Sequence, residues 1–275
     1  MNTRSDTVLE RILRSTREAV ERRKLDRPAA ELKAEAADRP RPGDGAPGRL
    51  KRTLAEPAIG VIAEFKRRSP SAGTLLAEGR VDQIIGAYER GGASALSILT
   101  EEDNFAGSLD DLRAARAVSE LPILRKDFIL DPYQLYEARL AGADAVLLIV
   151  AALELHELTA LHDAAIELGL EALVEVHDRS ELDAALEVHA EIVGINNRDL
   201  RDFSVDVERT ARLLPDIPKG VVVVSESGIS TPEQLARLQE IGVDAALIGE
   251  ALMRAGDPER TLATLLPAVP TQDQL

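Results

Sequence analysis

Eight short apolar runs, separated by stretches of helical periodicity, restrict this chain more than any other feature. The runs are Ile59–Phe65, Ala95–Leu99, Ile123–Leu124, Ala145–Val150, Ala172–Val176, Ile192–Ile195, Val221–Val224 and Ala245–Ile248. Between them, apolar residues recur at helical spacing over Val81–Arg90, Ser108–Ser119, Pro132–Ala141, Leu155–Leu168, Ser180–Val188, Val205–Leu214 and Pro232–Ile241. Continuous rather than alternating apolar runs belong to strands covered on both faces, and strand–helix alternation requires right-handed crossovers and a parallel sheet. One junction repeats in Gly91-Gly92-Ala93-Ser94-Ala95, Ala141-Gly142-Ala143-Asp144-Ala145 and Ile241-Gly242-Val243-Asp244-Ala245: a glycine ends a helix and a strand follows. Eight such units predict an α/β chain closed as a (β/α)8 TIM barrel, with a doubly wound open sheet as the alternative.

A barrel of this kind accounts for all 275 residues as a single domain. Residues 1–58 then form an N-terminal helical extension and linker. Within it, Val8, Ile12, Leu13 and Val20 make one apolar stripe over about Asp6 to Lys24, with Ser5 or Asp6 available as the cap. Asp26 to Gly48 is rich in Pro, Ala, Asp and Gly and reads as an exposed connection, followed by a short helix around Leu50 to Ala55. Residues 268–275 read as a disordered tail.

Composition excludes several classes of function. The formal charge of −15 repels a polyanion, which makes nucleic acid a poor partner but leaves room for a small anion in a locally cationic pocket. With no cysteine there are no disulfides, thiolate nucleophiles or cysteine-based metal sites. The histidines His156, His162, His177 and His189 lack zinc spacing, so no metal and no cofactor are expected. The longest apolar run, Ala145 to Leu153, falls far short of the roughly 20 residues of a membrane helix. Charged residues follow the N-terminus where a leader would be apolar, so a cytoplasmic location is expected.

In a barrel, chemistry collects at the carboxyl ends of the strands. Those ends carry Glu64 and Lys66, then Thr100 and Glu101, then Arg125, Lys126 and Asp127; the fourth ends apolar. Glu175 and His177 follow at the fifth, Asn196, Asn197 and Arg198 at the sixth, Ser225, Glu226, Ser227 and Gly228 at the seventh, and Gly249 and Glu250 at the eighth. Glu175 sits between Val174 and Val176, where an unpaired carboxylate is costly. It is therefore either half of an ion pair with Lys126 or Lys66, or an acid/base group. Ser227-Gly228 and Gly249-Glu250 put glycine ahead of helix starts at the two ends where barrels commonly bind phosphate, and Lys66 with the Ser69 and Ser71 hydroxyls closes the other side. His177 stays a mouth candidate, although its place favours a loop role. The remaining histidines read as surface or packing residues, and Glu101-Glu102-Asp103 as solvated.

Ile62-Ala63-Glu64-Phe65-Lys66-Arg67-Arg68-Ser69-Pro70-Ser71, Leu124-Arg125-Lys126-Asp127-Phe128, Leu173-Val174-Glu175-Val176, Ile195-Asn196-Asn197-Arg198-Asp199-Leu200 and Ser225-Glu226-Ser227-Gly228-Ile229 together resemble, in order, the motifs of the indole-3-glycerol-phosphate synthase family. The resemblance runs from the N-terminal helix to about Arg254. It implies a barrel whose helical extension lies over the mouth, and a cofactor-free ring closure in tryptophan biosynthesis. It also implies roles: Lys126 as general acid, Glu175 as a later base partnered by Lys66, and Glu64 and Asn196 as orienting groups. Ser69, Arg198, Ser227, Gly228, Gly249 and Glu250 would hold the phosphorylated end, and Phe105 and Phe128 would shape the aromatic pocket. An aromatic expected before the first strand is replaced by Gly48-Arg49-Leu50. The implied partner is a small phosphorylated substrate, with neither nucleic acid nor membrane. A monomer or weak homo-oligomer is expected, with association with other tryptophan-pathway enzymes left open. A phosphoribosyl-anthranilate or related sugar-phosphate isomerase, and a non-catalytic phosphate-binding barrel, are the competing readings.

Overall fold

The computed structural model describes residues 7–40, 47–70, 73–75, 80–199 and 204–266. Eight strands form the centre: β1 (Gly60–Phe65), β2 (Ala95–Leu99), β3 (Ile123–Lys126), β4 (Ala145–Ile149), β5 (Glu171–Val176), β6 (Ile192–Asn196), β7 (Val222–Glu226) and β8 (Ala245–Ile248). Each pairs in parallel with the next, and β8 pairs with β1, so the sheet closes and the open-sheet alternative falls away. Its helices are α4 (Val81–Arg90), α5 (Leu109–Val118), α6 (Pro132–Ala141), α7 (Leu155–Glu167), α8 (Arg179–Glu187), α9 (Glu208–Leu213), α10 (Pro232–Ile241), α11 (Glu250–Met253) and α12 (Pro258–Leu265).

Alternation along each strand sorts side chains into two layers. Ile62, Leu124, Leu147, Leu173, Val224 and Leu247 pack together inside the barrel. Their chain neighbours Val61, Ile123, Val146, Val174, Val223 and Ala246 pack outward with the helices. Two positions beyond the inward Ile62, Leu124, Leu173 and Val224 stand Glu64, Lys126, Glu175 and Glu226, so the strand period itself aims these charges at the barrel axis. Local signals fix the helices around them. Asp131 and Thr231 cap α6 and α10 in reciprocal boxes with Gln134 and Gln234, and Gly142 (φ 93°) and Gly242 (φ 92°) end the same helices in the left-handed conformation.

The extension contributes three helices: α1 (Val8–Asp26), α2 (Ala29–Asp38) and α3 (Arg49–Leu54). Thr7, rather than Ser5 or Asp6, caps α1: its hydroxyl accepts the Glu10 N–H, and Glu10 accepts the Thr7 N–H at 2.6 Å. Ser5 and Asp6 lie outside the described residues. The Asp26–Gly48 connection is partly helical. Over Ala29–Asp38 strong helix formers bury Leu32 and Ala36 in a small cluster with Val20, Tyr133 and Leu140. α3 closes the amino end of the barrel. Leu50 and Leu54 are fully buried in the interior cluster, and the Glu171 carboxylate accepts the N–H groups of Leu50 and Lys51 at 2.6 and 2.9 Å. α1 lies at the other end, where its Thr16 and Arg23 border a small cavity shared with Thr100, Glu101 and Asp127.

Two further expectations change. α9 begins at Glu208 because Val205 makes a β-bridge with Arg198. Glu101 is buried rather than solvated, its carboxylate accepting the N–H groups of Asn104 and Phe105. The expected tail, 268–275, lies outside the described residues.

Candidate active site

A cavity of about 450 Å³ opens at the carboxyl ends of the strands, and every residue given a role by the resemblance lines it, whereas the mouth candidate His177 does not. Its floor is built from the inward positions Glu64, Lys126, Glu175, Asn196 and Glu226. Lys66, Ser69, Arg198, Ser227, Gly228, Gly249 and Glu250 stand on one side, and Phe105 and Phe128 on its wall. The two rings lie 6.3 Å apart, tilted by 39°. Apolar Leu147 and Ile149 from β4 and Leu247 from β8 complete the lining. Ser71 lies outside the described residues.

The floor is a chain of alternating charge. Lys126 Nζ donates to Glu226 Oε2 at 3.0 Å and to Glu175 Oε2 at 3.2 Å, while Asn196 Nδ2 donates to Glu175 Oε1 at 3.1 Å. Lys66 Nζ donates to Glu64 Oε1 at 2.6 Å. Lys66 is thus the partner of Glu64, two residues back on the same inward line, and Glu175 is partnered by Lys126 instead. Burial works against the charge of Lys126, but Glu226, Glu175 and Glu64 outweigh it and hold the ammonium above its ordinary range. Burial likewise opposes the charge of Glu175, yet Lys126, His177 and the Asn196 amide keep its carboxyl below the usual range. Glu226 goes the other way. Burial, helped by the like charges of Glu175 and Glu64, pushes its carboxyl up to about 7 against the pull of Lys126. Two glycines make room for this arrangement: a Cβ at Gly194 would collide with Glu226 Oε1, and one at Gly249 with Glu64 Oε1.

The rim is braced from behind. Ser227 (φ 66°) and Gly228 (φ 85°) take the left-handed conformation in succession, turning the backbone after β7 along the cavity edge. Asn197 holds that turn, donating from Nδ2 to Ser227 O at 3.0 Å and to Ser225 Oγ at 3.1 Å. Across from it Arg198 lies 3.8 Å from the Glu250 carboxylate, which also accepts from Arg254 at 3.1 Å.

A sequence model described as indole-3-glycerol phosphate synthase matches residues 9–265. The chain belongs to this family. An indole-3-glycerol phosphate synthase of Dehalococcoides mccartyi strain CBDB1 is 48% identical over 262 residues, covering 94% of this chain and all of the relative. One of Mycobacterium avium strain 104 is 46% identical over 262 residues, covering 95% and 94%. Indole-3-glycerol phosphate synthase 2 of Streptomyces coelicolor is 53% identical over 213 residues, covering 78% and 83%. Among solved structures, 3-hexulose-6-phosphate synthase from Salmonella typhimurium aligns with a TM-score of 0.60 at 13% identity, covering 75% of this chain and 96% of that one. The tryptophan synthase α2β2 complex from Pyrococcus furiosus gives 0.56 at 14%, covering 76% and 97%. At such identities these show the barrel fold alone.

Two residues of this indole-3-glycerol phosphate synthase family member depart from the sequence reading. Glu226, passed over in favour of Ser227 and Gly228, belongs on the floor beside Lys126; its inward parity with Val222 and Val224 was the available signal. Arg125, one position before Lys126, faces away from the cavity. It is fully buried between β3 and α6, donating to Thr100 Oγ1, Asp127 Oδ2, Gln134 O and Glu137 Oε2. Among the described residues no cluster of three or more His, Asp or Glu is arranged to hold a metal ion.

Proposed function

We propose that this chain acts as a carboxy-lyase, converting 1-(2-carboxyphenylamino)-1-deoxyribulose 5-phosphate into indole-3-glycerol phosphate, carbon dioxide and water. The observation that carries the reading is the Lys126 ammonium, held on the cavity floor between the buried Glu175 and Glu226 carboxylates. Its surroundings keep it charged, so it meets a substrate keto oxygen as a cation that polarises and protonates it. The ring carbon bearing the carboxylate attacks the activated keto carbon. Carbon dioxide then leaves, and its bonding pair restores the aromatic ring. The hydroxyl on the former keto carbon departs as water with a proton from the second ammonium, Lys66, while Glu175 takes a proton from the new five-membered ring. Phe105 and Phe128 offer an apolar wall to the aromatic end. Lys66, Arg198, Ser69 and the Ser227-Gly228 turn offer cations, a hydroxyl and backbone to the phosphate.

Purified protein mixed with this substrate, without added metal or cofactor, is expected to yield indole fluorescence together with carbon dioxide. Lys126→Ala is expected to abolish turnover and leave substrate binding measurable. Binding without indole formation by the unaltered protein would overturn the reading in favour of an isomerase or a binding protein.

A further inference from the structure

His177 is a group that the reaction above does not use. It continues the inward line of Leu173 and Glu175 one step past the end of β5, and it does not line the cavity. Its side chain is 9% exposed. From α8, the Glu181 carboxylate accepts two bonds from this residue, the backbone N–H at 2.7 Å and Nδ1 at 2.9 Å. An ionised carboxylate can only accept, so Nδ1 carries a hydrogen and the titrating nitrogen is Nε2. That nitrogen is buried, has no hydrogen-bond partner among the described residues, and lies 3.5 Å from Glu175 Oε1.

The consequence is electrostatic. A neutral imidazole would leave a bare lone pair near a buried carboxylate oxygen, whereas an imidazolium would place a positive charge there. We infer that His177 is a positioning residue, held by Glu181 and acting with the Asn196 amide, which donates to Glu175 Oε1 at 3.1 Å, to fix the Oε1 side of Glu175 so that Oε2 stays turned to Lys126 and the cavity. This rests on the reading of Glu175 as the base. The charged groups that face the ring are Glu175 on its own strand, Glu181 on α8, and Arg209 on α9, which donates to Asn196 O at 2.6 Å. Burial and Arg209 oppose the positive charge; the Glu181 hydrogen bond and the two carboxylates outweigh them and raise the imidazole above its ordinary range.

The direct measurement is an NMR titration of the four histidines in the full chain labelled with ¹⁵N-histidine, His177 being assigned by loss of its signals in His177→Asn. His177 is expected to stay doubly protonated as pH rises past about 6.5, the ordinary imidazole value, and in Glu175→Gln to fall back toward it. Titration at or below about 6.5, or indifference to Glu175→Gln, would overturn the proposal. Kinetics give a second readout. Asparagine keeps an amide near Nδ1 for Glu181 but nothing at Nε2, so His177→Asn should lower kcat about 10-fold, less than the 10²–10⁴ of a general base itself, with KM little changed. His177→Gln, whose amide reaches toward the Nε2 position, should recover part of that loss. Equal kcat in the unaltered chain and both variants would likewise count against it. The titration needs no turnover, so absence of indole formation by the unaltered protein would refute the proposed function while leaving the His177 result to be read independently.

Discussion

Three carboxylates and two ammonium groups line the cavity, and they are unequal: Lys126 touches two carboxylates, Lys66 one, and Glu226 is the carboxylate whose charge is least welcome. Glu226 therefore gives the site a pH dependence of known sign. Below the ordinary carboxylate range it is protonated in both folded and unfolded chains. Between that range and about 7 only the folded chain holds the proton, so the stability associated with it is lost as pH rises through about 7. Glu226→Gln keeps the neutral form at every pH. Its unfolding midpoint relative to the unaltered chain should rise between about pH 5 and about pH 8. Parallel thermal melts at the two pH values check this, and a difference that stays flat or falls refutes it. The identities of these groups could be read from sequence because strand parity places Glu64, Lys126 and Glu175 with the inward apolar residues. Their pairing could not. Whether Lys126 meets Glu175 and Lys66 meets Glu64 depends on how neighbouring strands are staggered on closing the barrel, and no single strand encodes that stagger.

At the scale of elements, the strand that presents Lys126 inward is anchored outward by its neighbour. Arg125 bonds Glu137 on α6, and Glu137 in turn accepts from Arg23 of α1 at 2.6 Å, so one carboxylate joins β3, α6 and the N-terminal extension. Removing the charge of a buried shared partner leaves two guanidiniums incompletely paired. Glu137→Gln should cost about 3 kcal/mol, read as a lower urea midpoint with unchanged slope. A loss of only a few tenths of a kcal/mol would show that Asp127 alone satisfies Arg125. The eight strands and the helices between them were legible to within a residue or two, except the start of α9, because continuous apolar runs and Gly-ended helices are strong local signals; α11 and α12, after the last strand, were not read. Nor was helix α2. It buries only Leu32 and Ala36, so its apolar stripe is too narrow to stand out from a Pro- and Ala-rich connection, and it is secured by packing against α6. Glu101 was misread for a related reason: a carboxylate in an acidic run looks solvated until the loop folds back to place N–H groups around it.

Over the whole molecule, the N-terminal extension attends to both ends of the barrel, and the two ends differ in what they need. At the carboxyl end a cavity is kept open, and none of the described α1 residues lines it; α1 instead secures the flank of β3 through Arg23 and Lys24 and adds Ile12 and Leu13 to the interior cluster. At the amino end no cavity is wanted, and α3 fills the space with Leu50 and Leu54 while Glu171 satisfies its first N–H groups. Loss of such fully buried leucines costs about 2–5 kcal/mol each when they are cut to alanine, and their complete removal would also uncover Glu171 and the lower interior layer. Truncation should therefore be graded. A chain lacking residues 1–40 keeps α3 and all eight strands, and should retain the far-UV circular dichroism of a barrel with a lowered unfolding midpoint. A chain lacking residues 1–57 loses the floor of the core, and should unfold at far lower denaturant or fail to fold. Circular dichroism and urea titration of the two truncations separate these outcomes. Equal stability would mean that the barrel closes its own amino end and that α3 rests on it, whereas the graded result assigns α3 to the core and α1 to the flank of the catalytic end.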